Sequence, residues 1–223
     1  MIKNKNWSSK RRKSKNIPIG THILIVCCGQ CTEPNYFSYI LTKIKENMQQ
    51  KSQGITKFKY KIIPCAKDPK KMADKVKHYI ESSEESYNEV YVVFDKDSYT
   101  NDNFDTAIKT VKEYNKQYRD ITFVPLWSNQ CIELWFLLHF EYMHSQITRE
   151  QYFEKLEKIL EKQYIKNDKQ TGESIFKKGG TIDKAINNSK KLMDNSKEEE
   201  VCSKKDPATN VFVFFEKYKD YIK

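Results

Sequence analysis

Apolar positions along the chain switch between two periods, and the switches outline a repeating order of strand and helix. Ile23 to Val26 is apolar at every position, as in a strand covered on both faces. Thr32 and Pro34 then supply a helix cap and a first-turn proline, and Phe37, Ile40, Leu41, Ile44 and Met48 return at helical spacing. Phe58, Tyr60 and Ile62 alternate as a second strand. Asp68 and Pro69 open a helix that carries Met72, Val76 and Ile80 on one face. Glu89 to Phe94 predicts a third strand, Phe104, Ile108, Val111 and Tyr118 a third helix, Ile121 to Leu126 a fourth strand, and Cys131 to Tyr142 a helix apolar enough to be buried. Strand and helix alternating four times predict a parallel, right-handed α/β core, with functional groups at the carboxyl ends of its strands.

Beyond Met143 the pattern is helical. Tyr152, Leu156, Ile159 and Leu160 form one stripe, Ile182, Ala185, Ile186 and Met193 another, and a further helix follows Pro207. Lys166 to Gly180 is polar, rich in lysine and closed by two glycines, which predicts a mobile loop. Lys197 to Lys205 reads as a charged linker. The expected division is a basic, disordered tail over 1–20, an α/β core over 21–142 and a helical subdomain over 143–223.

Composition narrows the class. At 38% hydrophobic residues the 223-residue chain can bury a core. Its apolar runs fall far short of the roughly 20 residues of a membrane helix, and 1–20 lacks the apolar segment of a signal peptide, so no membrane association and a cytoplasmic location are expected. Six cysteines, three of them between Cys27 and Cys31, do not form the spaced framework of a small secreted domain. The formal charge is +10, but Lys3, Lys5, Lys10, Arg11, Arg12, Lys13 and Lys15 carry seven of those charges in an acid-free tail, leaving +3 for the remainder. Such a tail attracts nucleic-acid phosphates through counterion release, or serves only solubility.

Two segments carry candidate chemistry. His22 to Phe37 reads as strand, glycine turn and capped helix start, an arrangement that builds phosphate and metal sites. Val92-Val93-Phe94-Asp95-Lys96-Asp97 is an apolar strand ending in two carboxylates that alternation places on one side. Carboxylate oxygens there suit Mg2+ or Mn2+, whereas the plainer reading is a solvated strand end.

Those segments contain Thr-Glu-Pro-Asn-Tyr-Phe and Phe-Asp-Lys-Asp, and with Ser128-Asn129, Glu133-Leu134-Trp135 and His139-Phe140 they resemble the RloB-like family of bacterial abortive-infection proteins, whose core resembles the TOPRIM fold. The resemblance spans roughly Ile23 to Phe140. It implies a TOPRIM-like parallel sheet flanked by helices, with a helical C-terminal addition. It further implies an anti-phage effector acting as a metal-dependent nuclease on nucleic-acid phosphodiesters, RNA slightly favoured over DNA, with a partner ATPase encoded nearby. One departure matters: the family carries glutamate immediately before the first-turn glycine, and this chain has Cys28.

The site so implied has Asp95 and Asp97 as metal ligands, Glu33 and Glu133 as further catalytic acids, and Cys28 in the place of the missing carboxylate. Lys96 and His139 are expected to contact nucleic acid, together with Lys10, Arg11, Arg12 and Lys13 of the tail. A thiol is a poor substitute for glutamate. It titrates near 8.5, aspartates nearby push it higher, and soft sulfur mismatches Mg2+. Glu33 either takes over part of that role or caps the turn. The alternative function is therefore a catalytically inactive subunit that binds nucleic acid or an ATPase partner. Cys28 and Cys31 also make a C-x-x-C spacing, but no second pair accompanies it, so small buried side chains are favoured over zinc or redox chemistry. For His139 a hydrogen-bonded core histidine competes with the role of phosphate contact or proton carrier.

Overall fold

Strand β1 (His22–Cys27) explains the unbroken apolar run that opens the chain, because both of its faces are covered. Ile23, Ile25 and Cys27 enter one apolar cluster while Leu24 and Val26 enter another on the opposite face. The computed structural model describes residues 20–51 and 57–222, so the tail cations Lys10, Arg11, Arg12 and Lys13 lie outside the described residues. Helix α1 (Thr32–Lys51) follows, then β2 (Lys59–Pro64), α2 (Pro69–Ser82), β3 (Glu89–Asp95), α3 (Asn101–Gln117), β4 (Thr122–Asn129) and α4 (Glu133–Leu138). The C-terminal part adds α5 (Arg149–Leu160), α6 (Thr171–Lys177), α7 (Ile182–Asn195), a two-residue strand β5 (Ala208–Thr209) and α8 (Phe212–Tyr218).

The result is a mixed α/β fold around a five-stranded, mostly parallel sheet in the order β2-β1-β3-β4-β5. β1 pairs in parallel with both β2 and β3, with Ile25 opposite Ile62 on one side and Tyr91 on the other. The chain steps outward from β1 to β2, then returns across β1 to β3. That reversal leaves a crevice at the carboxyl ends of β1 and β3, where loops diverge and ligands bind in sheets of this kind. Helices α2 and α3 cover one face; α1 shares the other with α4 to α8.

The C-terminal part shares its apolar cluster with β1 and α1. Phe214 and Phe215 of α8 are fully buried beside Phe37 and Trp135. The Phe215 ring stacks on Trp135 at 4.7 Å, and Phe214 meets Phe37 edge-on at 5.5 Å. Pairs of this geometry add to the area term of burial.

Three sequence expectations need correction. The stretch Lys166 to Gly180 is not a continuous loop, since Thr171–Lys177 forms α6. Its Ile175 is buried, and Gly172 lies so close to Tyr39 that an added Cβ would sit 2.8 Å from the ring. The helix expected over Cys131 to Tyr142 contracts to α4. Pro207 leads first into β5, which pairs antiparallel with the end of β4, and only then into α8. Asn210 fastens that junction, accepting from the Trp127 amide at 2.6 Å and donating to the Pro125 carbonyl at 2.9 Å. Among the described residues no helix is long and apolar enough to cross a membrane.

Phe215 has ring contacts to α1, α4 and α8 itself. Phe215→Ala is therefore expected to cost about 3–5 kcal/mol of stability, the range for deleting a buried aromatic ring. Urea denaturation should show a lower midpoint at unchanged slope; a shift under about 1 kcal/mol would mean that α8 is peripheral to the core.

Candidate active site

The carboxyl ends of β1 and β3 meet in a half-open pocket of about 250 Å³ that Cys28, Glu33, Asp95, Asp97 and Glu133 all line. Five of the residues singled out in the sequence thus come together. Cys28 extends β1 by one step, its amide donating to the Val93 carbonyl at 2.9 Å, which sets it beside the end of β3. Gly29 makes the turn and lets Glu33 fold back over it. The Gly29 amide donates to Glu33 Oε1 at 3.0 Å, and a Cβ at position 29 would lie 2.0 Å from Glu33 Oε2. Glu33 thus holds the turn, as expected of a cap, and also lines the pocket. Thr32, read as the helix cap, instead donates its hydroxyl to the Lys166 carbonyl at 3.0 Å.

Asp95 closes β3, and Asp97 follows in a turn with φ of 43°, a left-handed conformation that aspartate tolerates better than most residues. Glu133 opens α4 and is buried; its Oε1 accepts from the Tyr164 hydroxyl at 2.9 Å. Arg149, the first residue of α5, completes the wall. Its Nη1 lies 3.0 Å from each oxygen of Asp97, while its Nε is buried with no partner. Lys166 and Tyr99 line the same pocket.

Burial and crowding dominate the electrostatics. Desolvation pushes the Asp95 carboxyl well above its ordinary range, Glu33 and Glu133 push it further, and Arg149 and the Ile132 amide pull it back. Glu33 also titrates high, first through burial and next through Glu133, against the pull of the Gly29 amide and Lys166. Asp95 Oδ1 is buried without a hydrogen-bond partner. Burial, then Asp95 and Glu33, push the Cys28 thiol up to about 12. It stays protonated at neutral pH and donates to the Lys67 carbonyl at 3.1 Å.

The other expected residues lie elsewhere. His139, read as a phosphate contact or proton carrier, is fully buried in the core. Its Nε2 is 3.1 Å from the Tyr36 hydroxyl, which also receives Trp135 Nε1–H at 2.8 Å, and burial lowers its pKa to about 3. A neutral ring closed off from solvent reaches no phosphate. Lys96 turns its ammonium onto the Tyr99 carbonyl and is not in the pocket wall. Arg149, Lys166, Tyr99 and Tyr164 were not singled out as site residues. Thr148 and Gln151 form a capping box that places Arg149 at a helix start, a signal legible in Thr-Arg-Glu-Gln, but nothing local aims that helix at the sheet edge.

The donor set fits a hard divalent cation in its chemistry. Glu33, Asp95 and Glu133 supply carboxylate oxygens, their mutual repulsion favours a cation, and one oxygen of Asp95 is unpaired. Among the described residues, no three His, Cys, Asp or Glu side chains already converge as a metal-holding group, and Asp97 is engaged by Arg149.

The raised carboxyls carry a sign. A group whose folded pKa exceeds its unfolded value contributes stability that is complete below the unfolded value, about 4, and is lost as pH rises through the folded one. Metal-free Asp95→Asn is accordingly expected to melt at least about 2 °C above the parent protein near pH 7.5, the shift given by roughly 1 kcal/mol in a domain of this size. That gap should close toward pH 4. Equal melting temperatures across the range would show that Asp95 is not charge-strained.

A family model described as RloB-like protein matches residues 23–217 of the chain. No curated protein and no solved structure matches it.

Proposed function

Because the chain belongs to the RloB-like protein family, which is consistent with a defence-related role, we propose that its pocket binds nucleic-acid phosphodiesters for cation-dependent cleavage, at a rate held down by Cys28. The observation that carries this reading is that Glu33, Asp95, Asp97 and Glu133 line one pocket with Arg149 and Lys166 at the sheet reversal. Anionic and cationic walls facing a common space suit a substrate that brings phosphate together with a cation.

Asp95 and Glu33 would hold the ion, with Asp97 joining if Arg149 turns to substrate. Mg2+ or Mn2+ bound there supplies charge neutralisation for the phosphoryl oxygens. The chain's own groups do the remaining work. Gly29 and Tyr164 orient Glu33 and Glu133 through hydrogen bonds. Arg149 places a planar, permanently charged donor beside the acids. Burial raises the Glu33 carboxyl above the ordinary carboxylate range, which favours general acid–base work over a permanently ionised role. In an anti-phage setting the nucleic acid would be cleaved during infection, RNA before DNA, under control of a partner ATPase.

One observation favours a second reading. Cys28 holds a neutral thiol, hydrogen-bonded to a carbonyl, where the resemblance implies glutamate. A chain so altered serves equally as a non-catalytic subunit that binds nucleic acid or the ATPase.

The two readings separate in a cleavage assay with the full chain, Mg2+ or Mn2+, and RNA and DNA oligonucleotides. Cys28→Glu is expected to cleave about 10²-fold faster than the parent or more, the scale of one general acid or base, and adding Asp95→Ala should remove that gain. No cleavage by Cys28→Glu with either ion would leave the non-catalytic reading standing. Cleavage by the parent that survives Asp95→Ala would place the chemistry outside this pocket.

A further inference from the structure

The two cations of the pocket are unequally committed. Arg149 pairs with both oxygens of Asp97. Lys166 makes no ion pair or hydrogen bond through its ammonium among the described residues; its nitrogen lies over the Phe153 ring, 5.3 Å from the centroid, in a cation–π contact. It is exposed, although Glu33 lies close enough to be acidified by it.

The backbone beneath this ammonium is held at several points. The Lys166 carbonyl accepts from Thr32 Oγ1 at 3.0 Å and the Asn167 carbonyl from Asn35 Nδ2 at 3.3 Å. Tyr164 is anchored by Glu133, and Asp168 by Lys162 Nζ at 2.7 Å. An exposed ammonium on a fixed base, next to carboxylates with which it does not pair, is poised for an anion brought from outside.

Another wall of the pocket carries Tyr99, close to Asp97 and Cys28. Its ring is partly exposed and stacks on no other ring among the described residues, unlike most aromatic side chains of this protein. A volume of about 250 Å³ lies below the roughly 300–1,000 Å³ of a pocket for a drug-sized ligand. It admits one phosphate with part of a nucleoside, whereas a paired base cannot leave its stack to reach the ring without the cost of unpairing.

Resting on the reading of the pocket as a phosphodiester site, we propose that it seats one nucleotide of a single strand, with Lys166 holding the phosphate and Tyr99 stacking on the base. Lys166 then meets a non-bridging phosphate oxygen and Tyr99 only the base, so that both position the strand.

Fluorescence anisotropy with the full chain tests this, using short phosphorothioate single strands of RNA and DNA and the matching duplexes in Mg2+, between 50 and 200 mM salt. The parent should bind single strands more tightly than duplex. Lys166→Gln should weaken binding and reduce the salt slope by about 0.7, the share of one phosphate contact on a single strand, and Lys166→Arg should restore both. Tyr99→Ala should weaken binding about 5- to 100-fold and Tyr99→Phe should not, as stacking requires. Melting temperatures near the parent value would separate these effects from misfolding. Parent-like affinity and slope in Lys166→Gln, parent-like affinity in Tyr99→Ala, or equal affinity for duplex would overturn the proposal while the phosphodiester site survives. A parent that binds no strand would overturn that site as well.

Discussion

Three carboxyl groups, Glu33, Asp95 and Glu133, share one desolvated pocket, and the rest of the structure answers to the cost of placing them there. Burial opposes ionisation of both Asp95 and Glu33, and their shared neighbour Glu133 adds to it. Coulomb repulsion in a poorly solvated crevice is not screened away, so opposing charge has to come from the protein or from a ligand. The protein supplies part of it through Arg149 and Lys166, and both come from the C-terminal part of the chain. That part is thus tied to the site as well as to the core. The sheet edge contributes acids, the C-terminal helices contribute cations, and the pocket exists where they meet.

The docking of those halves is an apolar matter. Tyr36, four residues after Thr32 in the motif that also carries Glu33, is fully buried and receives the indole N–H of Trp135, while its hydroxyl reaches His139. Phe37 packs against Phe214 and Phe215. The motif residues consequently divide into two kinds. Glu33 and Glu133 face the pocket; Tyr36, Phe37, Trp135 and His139 lock the helices that present them. A histidine within a functional-looking block turns out to be a packing residue because its ring lies in the core just past the end of α4, where burial keeps it neutral.

Cys28 shows how the choice of one side chain sets such a balance. A glutamate there would add a further charge to a pocket already crowded with acids, whereas the thiol remains neutral and turns to the Lys67 carbonyl. Position 28 thus adds no charge to the pocket and offers it a soft, protonated sulfur in place of a hard oxygen.

The sequence by itself determined the order of the elements up to β4, the two acids at the end of one strand and the family. These are local properties: a doubly covered strand is continuously apolar, a helix repeats its apolar positions near every 3.6 residues, and the glycine turn and the Asp-x-Asp pair are contiguous in the chain. Only the tertiary structure decided the rest. β5 is two residues long and exists only because β4 offers it an edge, and α6 is stabilised by Tyr39 and the burial of Ile175, so neither carries a periodic signal. Arg149 stands 52 residues beyond its partner Asp97, and Lys166 is 134 residues beyond Thr32, which grips its carbonyl. Proximity over such separations is set by how helices dock on a sheet, through contacts that no local pattern encodes, and it is this docking that turned a row of acids into a two-signed pocket.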